Sequence, residues 1–324
     1  MKRLLWGLGA AALLAGCSAK ATGSSTDTEM GTKTPVPKVA FSADSAYSYI
    51  ERQLAFGPRV PNTEGHKAAS EWIASELRRH GADVELQRAS LKAFDGTTLN
   101  AVNIIGRYNP GASNRLLLLA HWDTRPWADE DPDPAKRTEP VPGANDGASG
   151  VGVLLEMARL LNSNPQERGI DILLVDAEDY GAHDDDDSWA LGTRYYAENM
   201  TDANRPTEAV LLDMVGGQGA VFNREYFSQR YAPALLDKMW ASAARAGYSE
   251  RFPNKLGGAI NDDHVPLIQA GVPAIDIIEY NPSSGTGFNP TWHTTADNLQ
   301  AIDRATLKAV GQTLTNFIFP PADE

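Results

Sequence analysis

The chain has 324 residues, 42% of them hydrophobic, a formal charge of −13 and a single cysteine. That length and apolar content can bury a large core in one domain. One cysteine excludes an intrachain disulfide, and an acidic chain without a basic patch makes a poor partner for nucleic acid.

Met1-Lys2-Arg3 and the apolar run from Leu4 to Ala15 form a basic start followed by a segment too short to span a bilayer. Leu14-Ala15-Gly16-Cys17 then places small residues before the cysteine, which matches a bacterial lipoprotein signal. Residues 1–16 are expected to be removed and Cys17 to carry lipid. Ser18 to Lys38 is Ser, Thr, Gly, Pro and Lys with almost no large apolar residue, so 17–40 reads as a lipidated cysteine and flexible tether to a domain at 41–324. Ser18 after the cysteine is compatible with an outer-membrane anchor facing the periplasm.

In the domain, a helix is predicted from Phe41 to Ala55 with Tyr47, Ile50 and Leu54 on one face, stopped by Gly57-Pro58. A second helix, with Ala69, Trp72, Ile73 and Leu77 inward, ends at Gly81, and His66 falls in its first turn. Short strands are expected at Val84–Leu86 and Asn103–Arg107. Leu116 to Ala120 is a continuous apolar run bounded by polar residues, a strand buried on both faces. It ends in His121-Trp122-Asp123. After a Pro/Asp-rich loop, Gly143-Ala144-Asn145-Asp146-Gly147 opens into a helix with Val151, Leu154, Leu155, Ala158 and Leu161 apolar.

The strand Ile170–Val175 runs into Asp176-Ala177-Glu178-Asp179, and Ala209–Leu212 into Asp213. The acidic run Asp184 to Asp187 reads as a solvated loop. Helices are predicted at Ala232–Ala246, after Asn261-Asp262-Asp263-His264, and from Asp303 to Ile318, with a last strand at Val272–Ile278 and Trp292-His293 after a Pro/Gly-rich loop. His121, Asp146, Asp179, Asp213 and His293 thus sit at strand ends or in loops. A lone aspartate there can be a helix cap or turn residue, but five such residues form a nitrogen and oxygen set suited to Zn²⁺. Strand ends in open α/β sheets are also where ligands bind.

The ordered set His-x-Asp, Gly-Ala-Asn-Asp-Gly-Ala-Ser-Gly, an acidic pair after a strand, Asp-Met-Val-Gly and a late His resembles the M28 zinc aminopeptidases and their glutaminyl cyclase branch. The resemblance runs from about residue 41 onward. It implies an α/β fold, a three-layer α/β/α sandwich with a mixed, mainly parallel sheet and zinc at its carboxyl edge.

For the cyclase branch it implies one Zn²⁺ per chain, held by Asp146, Asp179 and His293. Glu178 would be the proton shuttle, with Asp262 and Asp213 joined to it in a carboxylate network, and Trp189 and Trp292 would line the pocket. The reaction would cyclise an N-terminal Gln of a peptide or protein to pyroglutamate with release of ammonia. The aminopeptidase alternative implies two Zn²⁺ ions bridged by Asp146, with Asp179 and His293 completing one site and His121 and Asp213 the other. The chain departs from the animal cyclases, which have Glu where Asp179 stands, His where Asp276 stands, and paired cysteines.

Overall fold

The computed structural model describes residues 39–320. Two N-terminal helices come first, α1 (Ala43–Leu54) and α2 (Glu64–Arg79). Ser42 and Thr63 start them, each accepting a backbone N–H three residues on, and Gly57 and Gly81 follow their ends with φ of 81° and 79°. The strands β1 (Asp83–Lys92), β2 (Thr98–Tyr108) and β3 (Arg115–His121) lead to α3 (Ala148–Ser163), β4 (Gly169–Val175), α4 (Leu191–Glu198) and β5 (Glu208–Asp213). The chain closes through α5 (Tyr226–Tyr231), α6 (Pro233–Arg245), α7 (His264–Gln269), β6 (Ala274–Ile278) and α8 (Arg304–Ile318).

These strands form one six-stranded sheet in the order β1-β2-β4-β3-β5-β6. Only β2 runs against the rest: it is antiparallel to both neighbours, whereas β4, β3, β5 and β6 pair in parallel. The expected mixed, mainly parallel sheet is what forms. Leu116, Leu118, Ala120, Ile172, Leu174, Val210 and Leu212 face one way, against α1, α2, α3, α6 and α8. Leu117, Leu119, Leu173, Val175 and Leu211 face the other, with Tyr196 of α4 and Leu267 of α7. Burial on both faces explains why β3 and β4 read as unbroken apolar runs.

Two predicted strands need correction, and one helix is new. β1 and β2 pair over ten positions, far beyond the short strands read from sequence. β1 is an edge strand with alternating exposure, so Glu85, Gln87 and Arg88 interrupt its apolar signal while its backbone stays paired. The helix α5 was not predicted; it is six residues long, and Glu225 caps it by accepting from the N–H groups of Phe227 and Ser228.

From β3 the chain crosses through α3 to β4 on one side, then through α4 to β5 on the other. The order reverses about β3, so a crevice opens beyond its carboxyl end, where His121 lies.

Candidate metal centre and pocket

His121 ends β3, Asp213 ends β5, and Asp179 lies just past β4. The loop before α3 brings in Asp146, and the loop after β6 brings in His293. Asp146 Oδ1 is 2.9 Å from His121 Nε2, and its Oδ2 is 3.7 Å from His293 Nε2. His293 Nε2 lies 3.2 Å from Asp179 Oδ1, and His121 Nε2 lies 3.2 Å from Asp213 Oδ1. Donor atoms of Asp146, Asp179 and His293 all fall within 4.8 Å of one another, as do those of His121, Asp146 and Asp213. The aspartate common to both groups does not cap α3: the N-cap is Gly147, without a side-chain bond.

Whether a cation suits the first group can be tested on Asp179. Both its carboxylate oxygens are buried and neither has a hydrogen-bond donor, although His293 Nε2 is close. Buried acceptors without donors are costly, and two carboxylates converging with an imidazole nitrogen are a donor set that Zn²⁺ satisfies. The residues therefore fit zinc.

The backbone beneath this corner departs from strand geometry. Ala177, Met214 and His293 adopt left-handed φ of 55°, 46° and 53°. Residues in that region cost on the order of 1–3 kcal/mol and concentrate at functional sites. In a continuing strand Glu178 and Asp179 would point to opposite faces; with Ala177 turned, both line one cavity.

That cavity, of about 280 Å³, is also lined by Asp146, Asp213, Asp262, Trp189, Trp292 and His293. Trp292 stacks on His293 with ring centres 3.7 Å apart, and the Trp189 ring lies nearly parallel to the same imidazole at 6.1 Å. Both tryptophans expected in the pocket are there, with Tyr280 and Phe288 beside them. Burial raises the Glu178 carboxyl well above its ordinary range, reinforced by the charges of Asp262, Asp263 and Asp179. Burial likewise pushes Asp213 up to about 6 and Asp262 to about 7.

Asp262 does not cap α7, whose N-cap is Asp263 without a side-chain bond; Asp262 Oδ1 instead accepts the Asp263 N–H at 2.5 Å. Its neighbours are Asp276 and His264, whose ligating atoms lie within 4.8 Å of its own. The acidic run is exposed, as expected, but Asp186 also reaches the cavity mouth. His66 is in the first turn of α2, buried, with Nε2 2.9 Å from both oxygens of Asp176. Cys17 lies outside the described residues.

Sequence reasoning assigned no role to the residues that brace this corner. Asp123 accepts the N–H groups of Glu178 and Asp179, each at 3.2 Å, and its Oδ1 is 3.6 Å from His121 Nδ1. Asp297 accepts those of Asn145 and Asp146 at 2.8 and 3.1 Å, and Arg59 donates to the carbonyls of Trp122, Pro142 and Gly143. His-x-Asp was the available signal for Asp123; Arg59 and Asp297 stand in no local pattern.

The family model for peptidase family M28 matches residues 103–318, and that for the prokaryotic membrane lipoprotein lipid attachment site matches residues 1–18. The glutaminyl cyclase of Bacteroides thetaiotaomicron, solved with N-acetylhistamine bound, is 48% identical to this chain, with a TM-score of 0.85 over 87% of this chain and 99% of that one. The glutaminyl cyclase of Porphyromonas gingivalis is 50% identical, with a TM-score of 0.84 over 86% and 97%. A Zn-dependent exopeptidase from Parabacteroides distasonis is also 50% identical, with a TM-score of 0.85 over 87% and 99%. Aminopeptidase YwaD of Bacillus subtilis is 27% identical over 81% of this chain, which spans about half of that relative's length (54%).

Proposed function

We propose, from the premise that this chain belongs to peptidase family M28, that it is a glutaminyl-peptide cyclotransferase. The observation that carries this reading is its near full-length similarity to two bacterial glutaminyl cyclases at 48% and 50% identity. The tryptophan-walled cavity, lined by Glu178 and Asp262 as well as by the zinc-suited Asp146, Asp179 and His293, supports it.

In the reaction, the α-amine of an N-terminal Gln attacks its own side-chain amide carbon. A C–N bond forms in the five-membered ring, the bond to the amide nitrogen breaks, and ammonia leaves. Asp146, Asp179 and His293 would hold one Zn²⁺, which when bound supplies Lewis-acid polarisation of the amide carbonyl. Glu178 takes the proton released by the attacking amine and delivers it to the departing nitrogen. Burial raises its proton affinity, the direction that suits a carboxylate asked to take a proton from an amine. Asp213 and Asp262 line the same cavity, and the Asp262 charge adds to the rise in Glu178's proton affinity. Trp189 and Trp292 hold the compact folded-back side chain and exclude water, keeping amine and amide in reactive proximity.

A second reading, a two-zinc aminopeptidase, is favoured by the second donor group, His121, Asp146 and Asp213. It requires a second ion about 3.5–4 Å from the first and a water nucleophile. One experiment separates the two: zinc per chain measured together with ammonia released from a Gln-initiated peptide. One zinc with ammonia release supports the cyclase. Two zincs, no ammonia and trimming of a Leu-initiated peptide would replace it with the aminopeptidase.

The lipid attachment match at residues 1–18 supports a cell-envelope protein anchored through Cys17. In this reading residues 1–16 are a cleaved signal, 17–40 a lipidated tether and 41–324 the catalytic domain. The anchor sits in the outer membrane facing the periplasm, where proteins with N-terminal Gln pass.

A further inference from the structure

Arg125 follows the His-x-Asp segment and is 1% exposed. Each nitrogen of its fork donates. Nε and Nη2 donate to the two carboxylate oxygens of Asp129 at 2.8 and 2.6 Å, and Nη1 donates to the carbonyls of Asp179 and Gly181 at 3.2 and 3.1 Å. The same Nη1 is 3.6 Å from Asp179 Oδ1. Asp129 Oδ1 in turn faces His293 Nδ1 at 3.5 Å. The guanidinium carbon lies 5.0 Å from the Trp189 ring centre and 5.1 Å from that of Trp127. One side chain therefore touches the main chain of Asp179, the carboxylate behind His293 and the tryptophan of the pocket wall.

We infer that Arg125 is a positioning residue that ties the zinc corner to the substrate wall. This rests on the zinc and cyclase reading above. Through Asp129, which also meets His183 Nε2 at 3.0 Å, it holds a carboxylate 3.5 Å behind His293 Nδ1, the side from which metal-bound histidines are commonly supported. Through the carbonyl of Asp179 it sets where that carboxylate points. Through its flat face it backs Trp189, so loosening Arg125 loosens the metal ligands and the wall together. Lysine keeps the charge but has no fork to reach Asp129 and two carbonyls at once.

The test uses the mature wild-type protein and the variants Arg125→Lys, Arg125→Met, Asp129→Asn and the Arg125→Met/Asp129→Asn double. Two quantities are read: the rate at which bound zinc passes to an excess of chromogenic chelator, and KM for a Gln-initiated peptide with zinc in excess to equalise occupancy. Both Arg125 variants should release zinc about 10–100-fold faster. The double variant should release it no faster than Arg125→Met, because Asp129 acts along the same path. Arg125→Met should also raise KM about three- to tenfold as Trp189 loses its backing.

Wild-type zinc retention and KM in Arg125→Lys would overturn the inference, as would zinc-release effects that multiply in the double variant. Should Arg125→Met not fold, Arg125→Lys alone decides. A wild-type protein that holds no zinc, or makes no pyroglutamate, would instead overturn the reading beneath it.

Discussion

The two ends of the same central strands treat charge in opposite ways. Near the amino ends, Arg115 of β3 and Asp171 of β4 form a buried pair: Nε reaches Oδ2 at 2.8 Å and Nη2 reaches Oδ1 at 2.5 Å. Nη1 is taken up by the carbonyls of Asn109 and Ala112, so both partners are matched within the fold. At the carboxyl ends, six residues further along β3, acidic groups crowd together and both oxygens of Asp179 lack a donor. A satisfied buried pair is a piece of architecture; an unsatisfied one on the same strands marks where something from outside completes the molecule.

If that contrast is right, the carboxyl end should fail chemically while the amino end fails thermally. The largest effect is expected from Asp179→Ala or His293→Ala: zinc content and turnover both vanish, read by metal analysis and ammonia release. Full zinc occupancy in either variant would sink the ligand assignment. Glu178→Gln comes next, with turnover down about 10²–10⁴-fold and zinc content unchanged. Undiminished turnover would remove Glu178 from proton transfer.

At the other end, Asp171→Asn leaves Arg115 buried without its counter-charge and should cost about 3–5 kcal/mol. That corresponds to a fall in Tm of roughly 5–15 °C, with kcat/KM at 25 °C preserved. A loss of kcat/KM without a fall in Tm would erase the distinction between the two ends.

The smallest effect is a pH dependence. Burial, reinforced by the Asp262 charge, pushes Asp263 up to about 8 from its ordinary 3.8. A carboxyl raised in the folded state stabilises fully below its unfolded value, and that contribution is lost as pH rises toward about 8. Asp263→Asn removes this titration, so its Tm should fall less between pH 5 and pH 9 than that of the wild type. Parallel Tm curves would show that Asp263 does not titrate as its surroundings dictate.

What could be read from the sequence follows the same division. β3, β4 and β5 are buried on both faces, so their apolar runs are continuous and the polar residues closing them stand out. That is how His121, Asp179 and Asp213 were legible. Asp146 stood out in a Gly-rich turn before a helix and His293 after a Pro/Gly-rich loop, whereas the roles of Glu178 and Asp262 came from resemblance. The tryptophans came from resemblance as well, since loop residues carry no periodicity.

The bracing residues stayed hidden because their partners are distant in sequence and of several kinds. Asp297 reaches back to Asn145 and Asp146, and Arg125 forward to Asp179 and Gly181. Asp276 lies inside an otherwise apolar strand and is fully buried, and only the resemblance singled it out, as a departure from the animal cyclases. The paired edge of β1 was hidden for another reason: backbone hydrogen bonds make that strand, and they leave no mark on side-chain pattern.

The left-handed residues at 177, 214 and 293 constrain any redesign of the pocket. Main-chain shape at these positions is harder to exchange than side-chain chemistry, because β-branched residues resist positive φ whereas glycine accepts it freely. A saturation library covering Ala177 and Met214 should therefore enrich glycine and asparagine and shed valine and isoleucine, whichever substrate is selected for. Evolvability here is governed by backbone geometry before it is governed by reactivity.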